Sequence, residues 1–293
     1  MWVFDSLRRG LHLSAAVDQD ELAEQELLIS IEMLRKTWVE AALSVLHSMQ
    51  KADAAVLGIS SAIEGEGKST ACLGLGVALA REIDGRVLIV ECESGNSGIS
   101  KLFGLEPEPG LIEFIEQPPV EMEQILRRTE LARVDVVTIG GSRQDGPPST
   151  SSSQLTSSRI RRYLPTLVAH FKDHYDFILL DLPPLTRNAY AMDLSREADI
   201  MFLSVKTDVT PLEQMSIAMN MVEVGKLAAV FLMTGSRRTL PSLLSGTTQR
   251  DSAVKIIEIP ELPPGPDNEA LLVGALMGNL DDRFDMVNRT VRV

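Results

Sequence analysis

Ala54-Ala55-Val56-Leu57-Gly58-Ile59-Ser60-Ser61-Ala62-Ile63-Glu64-Gly65-Glu66-Gly67-Lys68-Ser69-Thr70 is the stretch that decides the fold. Ala54 to Ser60 is an apolar run of strand length, and Lys68 to Ile83 is a largely apolar segment of helix length. Between them Ala62, Gly67, Lys68 and Ser69 meet the spacing [A/G]-x4-G-K-[S/T] of a phosphate-binding loop. The glycines let successive backbone N–H groups turn toward one phosphate, and the helix N-terminus adds partial positive charge there. Gly65, Glu66, Gly67, Lys68, Ser69 and Thr70 are therefore the expected nucleotide-binding residues. Lys68 is placed to reach the β- and γ-phosphates, the Ser69 hydroxyl to ligate Mg²⁺, and Thr70 to contact the α-phosphate.

The alternation continues outward from this loop. Buried strands are expected at Arg86 to Glu91, Val134 to Ile139, Phe177 to Asp181, Asp199 to Lys206, Leu227 to Met233 and Val254 to Ile259. Helical segments fall near Leu111 and Glu121, over Arg159 to His174, and over Pro211 to Val224. Strands that are apolar throughout and alternate with helices mean an α/β fold, with a doubly wound, mostly parallel sheet covered by helices on both faces. Ahead of it, Leu27, Ile31, Leu34, Trp38, Ala42, Val45 and Leu46 recur at helical spacing. The expected organisation is an N-terminal helical segment over 1–50 for docking or oligomerisation, a nucleotide-binding domain over 51–245, and a last strand, helix (Ala270 to Asn279) and Pro-rich tail over 246–293.

A phosphate loop needs a carboxylate at a neighbouring strand end to hold the Mg²⁺ shell. Asp181 ends the run Phe177-Ile178-Leu179-Leu180 and fits that place. Glu91 and Glu93 end the strand Val87-Leu88-Ile89-Val90, where strand ends line the crevice of such sheets. Lys68, Glu91, Glu93 and Asp181 are the candidate catalytic residues, and Ser69 and Asp181 the candidate Mg²⁺ ligands. One of the two glutamates would position an attacking water or accept a proton.

The formal net charge of −13 argues against nucleic acid as a partner. No run of about 18 apolar residues and no signal-peptide pattern is present, and only two cysteines, Cys72 and Cys92, occur. These features lead to the expectation of a reduced, cytoplasmic protein. His170 and His174 lie one helical turn apart without an evident third metal ligand, and read as a surface helix. Cys72 and Cys92 read as core, and Ser149 to Ser158 as a loop. Met1 to Leu13 has amphipathic spacing and reads as a terminal helix or a membrane-surface peptide.

Further runs carry a family resemblance: Ile59-Ser60-Ser61, Gly65 to Thr70, Arg86-Val87-Leu88-Ile89-Val90, Phe103-Gly104-Leu105, Gly110-Leu111, Gln154-Leu155-Thr156-Ser157-Ser158-Arg159, and Tyr175 to Pro184. In order and spacing they resemble the cytoplasmic domain of bacterial tyrosine kinases of capsule and exopolysaccharide synthesis (BY-kinases), within the MinD/ParA-like P-loop ATPases. The resemblance covers about Ala54 to Met233. It implies ATP with Mg²⁺, Asp181 as the Walker B carboxylate, and Glu91 and Glu93 where the family has an Asp-x-Asp pair. It also implies a homo-oligomer and a membrane-embedded polysaccharide co-polymerase or other membrane adaptor, with recruitment to the inner face of the cell membrane. Each glutamate reaches one methylene further than aspartate. A displacement of about 1 Å can cost about 10²-fold in rate, so binding is expected to survive better than catalysis. The only tyrosines are Tyr163, Tyr175 and Tyr190, so autophosphorylation of a tyrosine tail is not expected. The function expected is that of an ATP-binding, weakly hydrolysing protein in exopolysaccharide biosynthesis or export. A catalytically weak nucleotide-binding scaffold and a MinD-like positioning ATPase are the alternatives.

Overall fold

The computed structural model describes residues 33–46, 55–82, 84–93, 98–116, 120–141, 150–187, 189–207, 209–234 and 254–260. The expectations for Met1 to Leu13 and for Ala270 to Asn279 lie outside the described residues. In chain order the helices are α1 (33–46), α2 (Lys68–Glu82), α3 (Gly98–Leu102), α4 (Leu111–Glu116), α5 (Thr150–Lys172), α6 (Ala189–Ser195) and α7 (Leu212–Met221). The strands are β1 (Ala55–Ser61), β2 (Val87–Glu91), β3 (Leu126–Arg128), β4 (Val134–Val137), β5 (Phe177–Asp181), β6 (Ile200–Lys206), β7 (Leu227–Thr234) and β8 (Lys255–Pro260).

These strands form one sheet in the order β3-β4-β2-β5-β1-β6-β7-β8. Every pairing is parallel except β3 with β4. Strand β1 lies between β5 and β6, with Ile59 opposite both Asp181 and Phe202. All residues of β1, β2 and β5 are buried. That follows from their unbroken apolar sequence, since a parallel strand is covered on both faces. Side chains alternate between the faces. Leu57, Ile59, Val87 and Ile89 join a core with Trp38 of α1 and Leu73, Leu75 and Leu79 of α2. Val56, Leu88 and Val90 join the opposite core with Leu164, Leu167 and Phe171 of α5 and Met215 of α7.

Helix α1 belongs to the first of these cores. Leu34, Trp38, Ala41, Ala42 and Val45 are all buried at helical spacing. The Trp38 ring meets Phe231 of β7 edge-on, with centroids 5.3 Å apart. It also fills the space left by the missing side chain of Gly74 in α2, where a Cβ would run into the indole. The described part of the N-terminal segment thus shares one core with α2 and the sheet.

Two local expectations are corrected. Thr150 to Ser158, read as loop, is the beginning of α5. Serine and threonine lower helix propensity by only about half a kcal/mol each. The apolar stripe that begins at Ile160 anchors the helix they extend. The segment around Glu121 contains only the single 3₁₀ turn Met122–Gln124, followed by β3. Its three residues, Leu126-Arg127-Arg128, have too little periodicity to announce a strand. Among the described residues no helix is long and apolar enough to cross a membrane.

Candidate functional site

The C-terminal ends of β1, β5 and β2 converge at the start of α2. Gly65 and Gly67 have φ of +79° and +78°. Side chains rarely tolerate that conformation, so these glycines permit the tight turn from β1 into α2. At Gly67 a Cβ would also lie 2.9 Å from the end of Met233. The Gly67 carbonyl accepts the Ala71 N–H at 2.8 Å and starts the helix ladder. Ser69 and Thr70, both half-buried, occupy the first turn of α2.

Glu66 contributes to the loop through its side chain, which is 1% exposed. One carboxylate oxygen accepts the Ile63 N–H at 2.7 Å, across the turn. The other meets the Thr210 hydroxyl, and the Glu66 carbonyl accepts the hydroxyl of Ser204. The loop is thereby braced against β6 and the turn that follows it. The loop after β5 is clipped to the same edge: Leu185 N–H donates to the Ser61 carbonyl at 2.9 Å, and the Thr186 hydroxyl donates to the Ala62 carbonyl at 2.6 Å.

The four candidate catalytic residues fall into three arrangements. The Ser69 hydroxyl donates to Asp181 Oδ2 at 2.6 Å, while Asp181 Oδ1 is buried and has no hydrogen-bond partner among the described residues. Burial pushes the Asp181 carboxyl up to about 7; Lys68 and the Ser69 hydrogen bond oppose the rise, and Glu91 and Glu93 add to it. A divalent cation fits this place chemically. It would satisfy the stranded oxygen, bond to the Ser69 oxygen beside it, and favour the ionised carboxylate.

Glu93 is paired with Lys68: Oε2 lies 2.6 Å from Nζ, and both side chains are almost fully buried. Its Oε1 lies 3.4 Å from Arg187 Nη1, and the same guanidinium nitrogen contacts Glu64. Glu91 is employed differently. Its Oε1 accepts the N–H groups of Ile99 and Ser100 at 3.0 Å each. Its Oε2 accepts the Ser100 hydroxyl at 2.8 Å and the Ile139 N–H at 3.3 Å. Glu91 therefore ties the start of α3 and the end of β4 to the end of β2.

Cys72 and Cys92 are buried free thiols whose pKa burial raises, which matches their reading as core. His170 faces Glu123 at 3.5 Å, and among the described residues no cluster of three metal-ligating side chains occurs. Sequence reasoning did not identify Arg187, Thr210, Ser204 or Ser100. Their partners are 94, 144, 138 and 9 residues away, and the three distant ones carry no local signal.

No protein-family model matches the chain. A tyrosine-protein kinase, ptk of Acinetobacter johnsonii, is 25% identical over 197 residues, covering 67% of this chain and 25% of that protein. The chain thus spans about a quarter of that relative's length. The kinase domain of Escherichia coli tyrosine kinase ETK superposes with a TM-score of 0.58 at 22% identity, over 70% of this chain and 79% of that domain. The septum site-determining protein MinD of Pyrococcus horikoshii, complexed with Mg-ADP, superposes with a TM-score of 0.54 at 18% identity, over 80% and 98%. The chain is thus similar in sequence to bacterial tyrosine kinases, and it shares the fold of the ETK kinase domain and of MinD.

Proposed function

We propose that this chain binds Mg·ATP at the Gly65 to Thr70 loop and hydrolyses it weakly, as a partner of a membrane-embedded protein in exopolysaccharide biosynthesis or export. The observation that carries the nucleotide assignment is the Ser69–Asp181 pair with its stranded, buried Oδ1 at the head of the loop. Bound Mg²⁺ supplies charge neutralisation between the phosphates and the protein. The chain's own residues do the positioning. Backbone N–H groups of the loop and the start of α2 face the phosphates, Lys68 turns to the terminal phosphates, and Ser69 and Asp181 hold the metal shell. Glu93 is the candidate for orienting water, since Glu91 is engaged by four donors. Resemblance to bacterial tyrosine kinases supports ATP over GTP, the membrane partner, recruitment to the inner membrane face and a homo-oligomer. An interaction face for that oligomer is offered by α1, where Met33 and Leu43 are exposed.

A second reading, a nucleotide-binding scaffold without turnover, is favoured by the pairing of Lys68 with Glu93. Calorimetry with Mg·ATP tests binding; wild type is expected to bind and Lys68→Ala to lose at least tenfold in affinity. Absence of wild-type binding, together with normal polymer production by Lys68→Ala cells, rejects the proposal. Phosphate release that disappears in Asp181→Asn decides for hydrolysis over the scaffold.

A further inference from the structure

We propose that the Lys68–Glu93 ion pair is a latch displaced by nucleotide, and that Arg187 is the cation that receives Glu93 as the latch opens. The inference rests on the nucleotide reading of the loop and adds how entry to the site is controlled. A buried ammonium without a counter-charge is costly, so Lys68 needs a partner while no phosphate is present. Glu93 meets that need at 2.6 Å. The same carboxylate is a like charge to an incoming phosphate, so Lys68 cannot serve both at full strength. Nucleotide binding must loosen one buried ion pair before it forms another.

The released carboxylate has a second cation within reach. Glu93 Oε1 already lies 3.4 Å from Arg187 Nη1. The Arg187 backbone is held close to the loop by the bonds of Leu185 to Ser61 and Thr186 to Ala62. Its side chain is 55% exposed, and its other acidic contact, Glu64, is 61% exposed. Exposed pairs of this kind are weak and exchange readily. Arg187 is thus anchored at its base and free at its tip to leave Glu64 and take up Glu93. Two cations share one carboxylate, and phosphate decides which of them holds it. The longer reach of glutamate suits position 93 to this exchange. In this exchange Glu93 and Arg187 set nucleotide affinity through Lys68, as positioning residues.

The test compares Mg·ATP affinity in wild type, Glu93→Gln and Arg187→Gln by calorimetry, with the unfolding temperature of each apo-protein measured alongside. Glu93→Gln frees Lys68 and is expected to bind about tenfold more tightly. Arg187→Gln removes the cation that receives Glu93 and is expected to bind about fivefold more weakly without a lower unfolding temperature. A merely structural role would weaken binding in both and lower both unfolding temperatures. Affinity in Glu93→Gln equal to or below wild type overturns the latch. Unchanged affinity in Arg187→Gln overturns the exchange, and this exposed position carries the test if Glu93→Gln does not fold. Binding by Glu93→Gln where wild type shows none supports the latch. No binding by either rejects both the latch and the nucleotide reading.

Discussion

Asp181 shows how a side chain that is costly to the fold can stand at the head of the candidate site. Its carboxyl is raised from 3.8 to about 7 in the folded protein, chiefly by desolvation. The folded state therefore binds more protons than the unfolded chain between those values. Stability of the nucleotide-free protein falls as pH rises from about 4 to about 7, and the loss is complete above that window. At about 1.4 kcal/mol per pKa unit the full effect is roughly 4 kcal/mol. Asn at this position retains an oxygen to accept the Ser69 hydroxyl and removes the charge. Asp181→Asn is expected to raise the unfolding temperature at pH 8, with little effect at pH 4, while abolishing the Mg²⁺ dependence of nucleotide affinity. Thermal unfolding across pH 4 to 8 checks this, and a variant less stable than wild type at pH 8 would count against it. At this scale the place of the candidate residues at the strand ends was legible and their pairings were not. Asp181 was recognisable as a strand-end carboxylate beside the loop. Glu91 and Glu93 looked equivalent, two residues apart at the end of one strand. Their separation into a brace for α3 and a partner for Lys68 depends on which donors the surrounding loops bring to each.

Among the elements, the junction of α1 with α2 is the most sensitive to change. Burial of the Trp38 ring is worth roughly 4–6 kcal/mol on apolar area. That outweighs roughly 1–3 kcal/mol for its indole N–H, which is buried with no partner among the described residues. Gly74 makes the contact possible, because a Cβ there would enter the indole. Alanine in a helix interior is favoured over glycine by about 1 kcal/mol. Forcing a rigid ring aside costs about 1–3 kcal/mol or more. The clash is expected to win, so Gly74→Ala should destabilise by about 1–2 kcal/mol, measurable as a lower urea midpoint by circular dichroism. A variant more stable than wild type would show that α1 can shift without loss. The helical spacing of Leu34, Trp38, Ala42 and Val45 was readable in the sequence. The surface that receives it was not, because Gly74 and Phe231 lie 36 and 193 positions beyond Trp38.

For the whole molecule, the shared core changes what counts as a unit. A chain starting at residue 51 would lack Leu34, Trp38, Ala41, Ala42 and Val45, all buried against α2 and the sheet. It is expected to unfold at lower temperature than the full chain and to bind a hydrophobic dye. An unchanged transition would instead fit an independent N-terminal segment. Mg·ATP at about a hundred times its Kd should stabilise the full chain by about 2.7 kcal/mol. A ligand-dependent rise in unfolding temperature, absent in Lys68→Ala, reports this.

The sequence by itself determined the strand–loop–helix at residues 55–82 and the parallel, doubly wound sheet. Both rest on contiguous signals: an apolar run, glycines at turn positions and the spacing of Lys68 and Ser69. Tertiary structure decided that α1 shares the core, that Glu66 braces its own loop through Thr210, and that Lys68 is held by Glu93 beside Arg187. These contacts join residues far apart in the chain, and they depend on strand order and register, which bring β1, β5 and β2 side by side. Local pattern reports which face of an element is buried. Which carboxylate meets which cation is set by side-chain reach between neighbouring strand ends, a distance that exists only once the sheet has formed.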